Sequence, residues 1–477
     1  MATMIVALGL ALSALAQTTS RDPGDRPNLV VIMVDDLGAA GVSSFGNPHF
    51  KTPEIDRLAA EGFRLTDFHA SGALCSPTRA GLLTGRYQQR AGIEGVIIGG
   101  ANHPEHRKGL QPVEATFAER LKAAGYATGL VGKWHQGYAQ EFPQFHPTRH
   151  GFDEFTGYHS GNIDYVSHVG DHLHHDWWHG EAETHEEGYT THLINRYAVD
   201  FIRRHRAEPF CLYVAHEAVH NPVQVPGDPV QRTEAGWNNR WKPANLAERV
   251  DKFRGMLLPV DDGVGQIRRT LEELGLERNT LVLFFSDNGA STDFPSGDPG
   301  LRAGKGAVYE GGHREPFIAW WPGRIAPGGS SHVPAITIDV MPTLLALGGA
   351  TADPARPLDG LDLSPLLLGT GTLPDRPLYW AALNNNGSRA EAMREGPWKL
   401  VVSHPGATPG SFENPRAELY NLADDPSEST DLASRDPDRT AAMQARLTAW
   451  YAETRRTVTP QPGGWPDAAV PDSVQTR

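Results

Sequence analysis

The sequence predicts an α/β fold with a doubly wound sheet and a smaller C-terminal α+β subdomain, and three observations predict it. Short β-branched apolar runs recur along the chain, the pattern of strands covered on both faces of a parallel sheet. Helical segments separate those runs, so strand and helix alternate over most of the length. Beyond about residue 370 the character changes to short strand-like pieces without long helices between them.

Taken in order, residues 29–34 form the first buried strand, ending abruptly in Asp35-Asp36-Leu37-Gly38. Residues 54–61 and 113–124 read as amphipathic helices, the second closed by Gly125. A strand over 127–131 delivers Lys133-Trp134-His135. A helix over 190–205 precedes a strand over 210–215 and the loop from His216 to His220. The long helix over 250–274 stops at Gly275, and a strand over 281–285 ends in Ser286-Asp287-Asn288-Gly289. The C-terminal pieces over 378–381, 398–402 and 418–420 predict a small antiparallel sheet. A final helix over 437–455 sets Met443, Leu447, Trp450 and Tyr451 on one face. The expected division is a catalytic domain over 25–370 and a subdomain over 371–477.

The 477 residues are 39% hydrophobic and 21% charged with a net charge of -14, which suits a globular enzyme and disfavours a nucleic-acid partner. An anionic substrate then needs a local basic pocket. Residues 1–16 carry no charged side chain and close on Ser13-Ala14-Leu15-Ala16, the pattern of a cleaved signal peptide and a periplasmic or secreted protein. No other segment reaches transmembrane length, so no stable membrane span is expected. Of the two cysteines, Cys211 lies in an apolar strand as a small hydrophobe, and Cys75 lies in a polar, proline-containing loop. They are not expected to pair. An insertion over 168–185 holds His172, His174, His175, Trp177, Trp178 and His179. It is expected at the surface, with sugar stacking on Trp177 or Trp178 as the alternative.

Ligand sites in parallel α/β sheets lie beyond the carboxyl ends of the strands. Three predicted strands end in Asp35-Asp36, Lys133/His135 and Asp287-Asn288. The two acidic pairs make an oxygen-only donor set suited to Ca²⁺ or Mg²⁺ rather than zinc. Each pair alone is an ordinary turn or helix cap; two of them behind buried strands point to a site.

The segment Cys75-Ser76-Pro77-Thr78-Arg79, continued to Thr84-Gly85, resembles the signature of type I sulfatases, in which the cysteine is oxidised to Cα-formylglycine. The likeness extends over nearly the whole chain. It includes Thr52-Pro53-Glu54, Gly132-Lys133-Trp134-His135, Lys305-Gly306, Tyr309-Glu310-Gly311-Gly312, Glu418-Leu419-Tyr420 and Asp425-Pro426. The segment from Gly151 to Tyr165 is similar to polysaccharide-desulfating bacterial members of that family.

The resemblance implies an alkaline-phosphatase-like core, a sulfated carbohydrate substrate and a maturation enzyme that generates formylglycine. It implies that the hydrated aldehyde at position 75 attacks sulfur and later expels sulfate. Asp35, Asp36, Asp287 and Asn288, with the modified residue 75, are implied as Ca²⁺ ligands. Arg79 and His135 are implied to orient the nucleophile, Lys133 and Lys305 to balance charge on sulfate, His220 to protonate the leaving oxygen and Ser160 to donate to sulfate. His216 competes with His220 for the acid role, although Pro222 favours His220. Gln136 stands where Leu is common and Ala303 where Gly is common. Two other readings are a phosphonate monoester or phosphodiester hydrolase with the same nucleophile, and a sulfated-glycan-binding protein in which Cys75 stays a thiol.

Overall fold

The computed structural model describes residues 26–47, 50–100, 104–237, 243, 245–291, 296–384, 388–404 and 415–461. The expected signal peptide over 1–16 lies outside them. The chain begins with β1 (Asn28–Val34), α1 (Pro53–Glu61), β2 (Phe63–His69), α2 (Cys75–Thr84), α3 (Phe117–Ala123), β3 (Ala127–Lys133) and β4 (Glu154–Tyr158). Next come β5 (Trp178–His179), β6 (Ala182–Glu183), α4 (Thr190–Arg204), β7 (Phe210–Ala215), the hairpin β8 (Arg232–Thr233) and β9 (Gly236–Trp237), α5 (Leu246–Glu273) and β10 (Thr280–Ser286). β11 (Arg314–Trp320), β12 (Gly329–Ser331), β13 (Ala335–Ile336), α6 (Val340–Gly348) and α7 (Ser364–Leu367) follow. The C-terminal part holds β14 (Leu378–Leu383), β15 (Arg389–Glu395), β16 (Trp398–His404), β17 (Arg416–Asn421) and α8 (Pro437–Arg456).

An 11-stranded sheet runs β12-β2-β11-β10-β1-β7-β3-β4-β5-β6, with β13 also on β2. Its centre, from β10 through β1, β7 and β3 to β4, is parallel. β11 runs antiparallel to both β10 and β2, so the sheet is mixed rather than purely parallel. Alternate residues of β1 serve opposite cores. Leu29, Val31 and Met33 pack with α2, α3 and α6, whereas Val30, Ile32 and Val34 pack with α1, α4 and α5. Burial on both faces explains why β1, β7 and β10 read as unbroken apolar runs.

α3 starts later than the sequence suggests. Thr116 accepts from the Glu119 N–H, and Glu119 reaches back to the Thr116 N–H, a capping box that sets the start at Phe117. The four-stranded antiparallel sheet β14-β15-β16-β17 forms the small subdomain. One face packs Trp380, Ala392 and Val401 against Ala73, Val308 and Ile338 of the main domain, and the other receives Met443 and Leu447 of α8. Trp450 stacks on Tyr379 with ring centroids 4.8 Å apart, while Tyr451 turns away to donate to Glu94. The predicted four-residue face of α8 therefore divides between two partners. Among the described residues no helix is long and apolar enough to cross a membrane. Cys75 and Cys211 are both free, buried thiols.

Candidate active site

β1, β10 and β3 end at the same edge of the sheet, and the residues that follow them meet there. β1 supplies Asp35 and Asp36, β10 supplies Asp287 and Asn288, and Lys133 is the last residue of β3. α2 carries Cys75 as its first residue and Arg79 one turn later on the same face. All seven of these side chains lie in residues no more than 2% exposed. The loop after β7 brings His220, and the chain between β10 and β11 brings Lys305.

Cys75 is not in a loop. It opens α2 behind an extended Leu74, and all ten residues of that helix are buried. Pro77 is compatible with the helix because it stands in the first turn, where no intrahelical donor is needed. A proline beside polar residues imitates a loop in the sequence.

The contacts are dense. Arg79 Nη2 is 3.0 Å from Asp35 and 2.9 Å from Asp287, and its Nη1 donates to the Lys133 carbonyl at 3.3 Å. Lys133 pairs with Asp35. Lys305 Nζ is 2.6 Å from Asp36 Oδ1, to which Asn288 Nδ2 also donates at 2.7 Å. His220 Nε2 stands 3.8 Å from Asp36 Oδ2. Asp36 and His135 hold left-handed backbone at φ 59° and 53°, a strain that non-glycine residues accept mainly at functional sites. Gly289, after Asn288, lies against the Gly311-Gly312 backbone. A Cβ there would sit 2.1 Å from the Gly311 carbonyl oxygen, so the two glycine motifs are pressed together.

Electrostatics follow from burial and from the two lysines. Burial alone would raise the Asp35 carboxyl, but Lys133, His220, Arg79 and Lys305 overcome it and hold the group well below the usual range. Burial, and then the neighbouring Asp35 charge, push Asp287 up to about 7. Burial pushes the Cys75 thiol up despite Lys133 and Lys305. An unmodified Cys75 is therefore held as a thiol and is a poor nucleophile at neutral pH. Burial followed by Lys305 pushes His220 down to about 4, and burial followed by Lys133 pushes His135 well below its ordinary value.

The donor set fits a hard cation. Asp35 Oδ1, Asp36 Oδ2 and Asn288 Oδ1 are buried with no hydrogen-bond partner. Such oxygens are costly unless something satisfies them. Asp35, Asp36 and His220 present ligand atoms within 4.8 Å of one another. Two carboxylates and an amide oxygen match Ca²⁺ or Mg²⁺ chemistry. The Asp287 oxygens already accept from Arg79 and the Asp36 N–H.

Other expected residues lie elsewhere or do other work. His135 Nε2 meets the Ile97 carbonyl at 2.9 Å, and its Nδ1 is buried without a partner. Ser160 donates its hydroxyl to the Asn162 carbonyl at 3.1 Å, not toward the acidic cluster. His216 is fully buried, and neither ring nitrogen has a partner. Of these two histidines, His220 is the one that stands beside an acid of the cluster, Asp36.

The 168–185 insertion is divided: residues 168–170 and 175–177 are interior, whereas His174, 181–183 and His185 lie at the surface as expected. His168, Asp176 and Trp177 are at most 1% exposed, and Trp178 is half-buried against His159. Asp176 was not foreseen. It accepts the His159 and Ser160 N–H groups at 3.1 and 2.8 Å and fixes the chain beside His135. Tyr213 Oη, 3.4 Å from Arg79, was also not foreseen. No local pattern marks either residue, because both partners are distant in sequence.

Residues 27–350 match the sulfatase family. The chain is 37% identical over 391 residues to N-acetylgalactosamine-6-sulfatase of Mus musculus, covering 78% of this chain and 71% of that one. It is 35% identical over 481 residues to arylsulfatase A of Bos taurus, covering 91% and 89%. A solved structure of Ps i-CgsB in complex with k-i-k-neocarrahexaose superposes with a TM-score of 0.77 at 28% identity, covering 91% and 94%. Phosphonate monoester hydrolase of Agrobacterium radiobacter shares the fold, with a TM-score of 0.64 at 21% identity. With residues 27–350 matched and relatives above 30% identity spanning most of both chains, this protein belongs to the sulfatase family.

Proposed function

We propose that the protein removes sulfate from a sulfated carbohydrate, with Cys75 matured to formylglycine and calcium held by Asp35, Asp36, Asp287 and Asn288. The observation that carries this reading is the buried Cys75 thiol under the influence of Lys133 and Lys305, in a site where three ligand oxygens lack partners. A bound calcium with the aldehyde hydrate would supply an acidified hydroxyl nucleophile at position 75.

The chain's own residues do the rest. Lys133 and Lys305 bind and balance the sulfate oxygens. Arg79 holds Asp35 and Asp287 in place and offsets their charge. His135, whose Nδ1 is buried without a partner, orients the hydrated residue 75, and His220 protonates the departing alcohol oxygen. Ser160 donates to sulfate once its hydroxyl leaves the Asn162 carbonyl. The catalytic unit is taken as residues 25–370, with 371–477 as a supporting subdomain.

The names of relatives support a carbohydrate, since one acts on N-acetylgalactosamine-6-sulfate and a neighbour binds a neocarrahexaose. Sulfated galactan or glycosaminoglycan fragments are the substrates to try first. The protein is taken to be exported to the periplasm or beyond and to meet a formylglycine-generating enzyme on the way.

Mass spectrometry of the tryptic peptide 65–79 from native-host protein tests the nucleophile. The aldehyde or its hydrate at position 75 is expected, and an unmodified thiol would move the glycan-binding reading ahead. Release of sulfate from galactan and glycosaminoglycan oligosaccharides, beside matched phosphate and phosphonate esters, tests the substrate. Faster turnover of the phosphorus esters would overturn the sulfate-ester assignment.

A further inference from the structure

A second group of metal-ligating side chains lies in the 168–185 insertion, away from the strand-end cluster. His175, Glu183 and His185 present one ligand atom each within 4.8 Å of one another. The His175 and His185 rings are tilted against each other, with centroids 4.0 Å apart and planes at 34°. Glu183 Oε1 is 3.1 Å from His175 Nδ1. The three come from different pieces of chain: His175 from the loop before β5, Glu183 from β6 and His185 from the segment after it.

His175 is the fixed member. Its side chain is only 9% exposed, and its backbone N–H donates to Glu234 Oε1 at 3.3 Å. Glu183 is 42% exposed and His185 lies at the surface, so both are free to adjust.

We propose that His175, Glu183 and His185 form a binding site for a zinc-class divalent ion, with water completing its coordination. Two imidazoles and one carboxylate are a nitrogen-rich donor set that suits zinc, and nothing in it favours calcium. Zinc bonds of about 2.0–2.2 Å bring tetrahedral ligand atoms to roughly 3.5 Å apart, so closure takes about 1 Å of movement by the two exposed side chains.

A contrasting group supports the choice. His69, Glu310 and His313 are equally close but wholly buried, and Lys399 and Arg394 already stand among them. Two cations within hydrogen-bond reach leave no place for a third. Among the described residues, no lysine or arginine is bonded to the three members of the insertion group.

The ion would tie the loop before β5 to the β5–β6 hairpin at the sheet edge. That loop includes Asp176, next to His175, which holds the His159 and Ser160 N–H groups. The zinc site thus braces the chain that borders the active site without contributing to the reaction.

The test is titration of tag-free C75S protein, chelator-stripped and reloaded with excess Ca²⁺, with Zn²⁺ and separately with Co²⁺. One equivalent of Zn²⁺ should bind at micromolar concentration or below, and Co²⁺ should show the visible bands of four-coordination. H185A and H175A should each weaken Zn²⁺ binding roughly tenfold or more. H220A, at the strand-end cluster, should leave the affinity unchanged. H185A alters an exposed side chain, so its fold is checked by circular dichroism before the titration is read. Wild-type affinity in both H175A and H185A, or no stoichiometric binding at all, would overturn the site.

Discussion

Two buried charged clusters, one at the strand ends and one at the subdomain junction, differ in how acceptors are matched to donors. At the strand ends, Asp35, Asp36 and Asn288 each keep a buried oxygen with no partner. At the subdomain junction, Arg394 grips Asp67 through contacts of 2.7 and 2.6 Å. There Lys399 reaches Glu310 at 2.9 Å, Glu428 at 3.0 Å and His313 at 3.1 Å. Glu310 Oε2, with no close hydrogen bond, still has Arg314 and Arg394 within 3.8 Å. The acids of both clusters are buried, and both clusters are rich in carboxylates and cations. Glu428 Oε1 also lacks a hydrogen bond but has Lys399 at 3.0 Å, so the junction pairs its acids with cations and acts as a clamp between domains, whereas the strand-end oxygens mark a place for a ligand.

The largest effect should come from breaking the open cluster. Asp36→Asn removes an unpartnered oxygen and the partner of Lys305. Sulfate-ester turnover should fall by about a thousandfold, the scale of losing a dominant electrostatic element. Calcium should raise the melting temperature of the wild type and leave that of the variant nearly unchanged. Equal calcium stabilisation of both proteins would separate Asp36 from the metal.

Breaking the closed cluster should act on stability instead. Lys399→Met leaves Glu310 and Glu428 without their nearest cation in a region with no solvent access. The expected loss is about 3–5 kcal/mol, read from denaturant midpoints. Turnover per folded molecule should change little, because Lys399 touches no residue of the strand-end cluster. A variant as stable as wild type would mean that the junction is not a clamp.

The two histidines of the 216–220 loop sharpen the contrast at a single site. His220 faces Asp36, whereas the His216 ring lies in the interior with neither nitrogen hydrogen-bonded. His220→Ala should slow esters of poorly acidic alcohols by about a hundredfold. Activated aryl sulfates should suffer less, since their leaving oxygen needs no proton. His216→Gln should leave this leaving-group dependence as it is. A flat response of His220→Ala across leaving groups would remove it from the acid role.

The same contrast explains how far the molecule was legible from its sequence. β1, β7 and β10 were readable because burial on both faces leaves continuous apolar runs. β2 and β11 were missed because they lie toward the antiparallel side, and their segments Phe-Arg-Leu-Thr-Asp-Phe-His and Arg-Glu-Pro-Phe-Ile-Ala-Trp mix charges with apolar residues. β15 was missed for the same reason; its Arg394 charge is matched by Asp67, 327 positions away. α2 was hidden by Pro77 and by burial all round, which erases the amphipathic period. The open cluster was legible because its members stand on strand ends in short motifs. The clamp was not, since its partners are strung from Asp67 to Glu428 and only folding makes them neighbours.

The smallest expected effect tests whether burial, and not charge pairing as such, gives the clamp its strength. Arg446 of α8 holds Glu395 of β15 through two contacts of 2.5 and 2.7 Å, a geometry as good as any in the junction. Both side chains are 45% exposed, so water and salt screen the pair. Arg446→Met should cost no more than about 1 kcal/mol and less at high ionic strength. Measured beside Lys399→Met in the same denaturant series, it isolates desolvation as the difference. A loss from Arg446→Met that matches the Lys399→Met loss would assign the strength of the subdomain contacts to pairing alone.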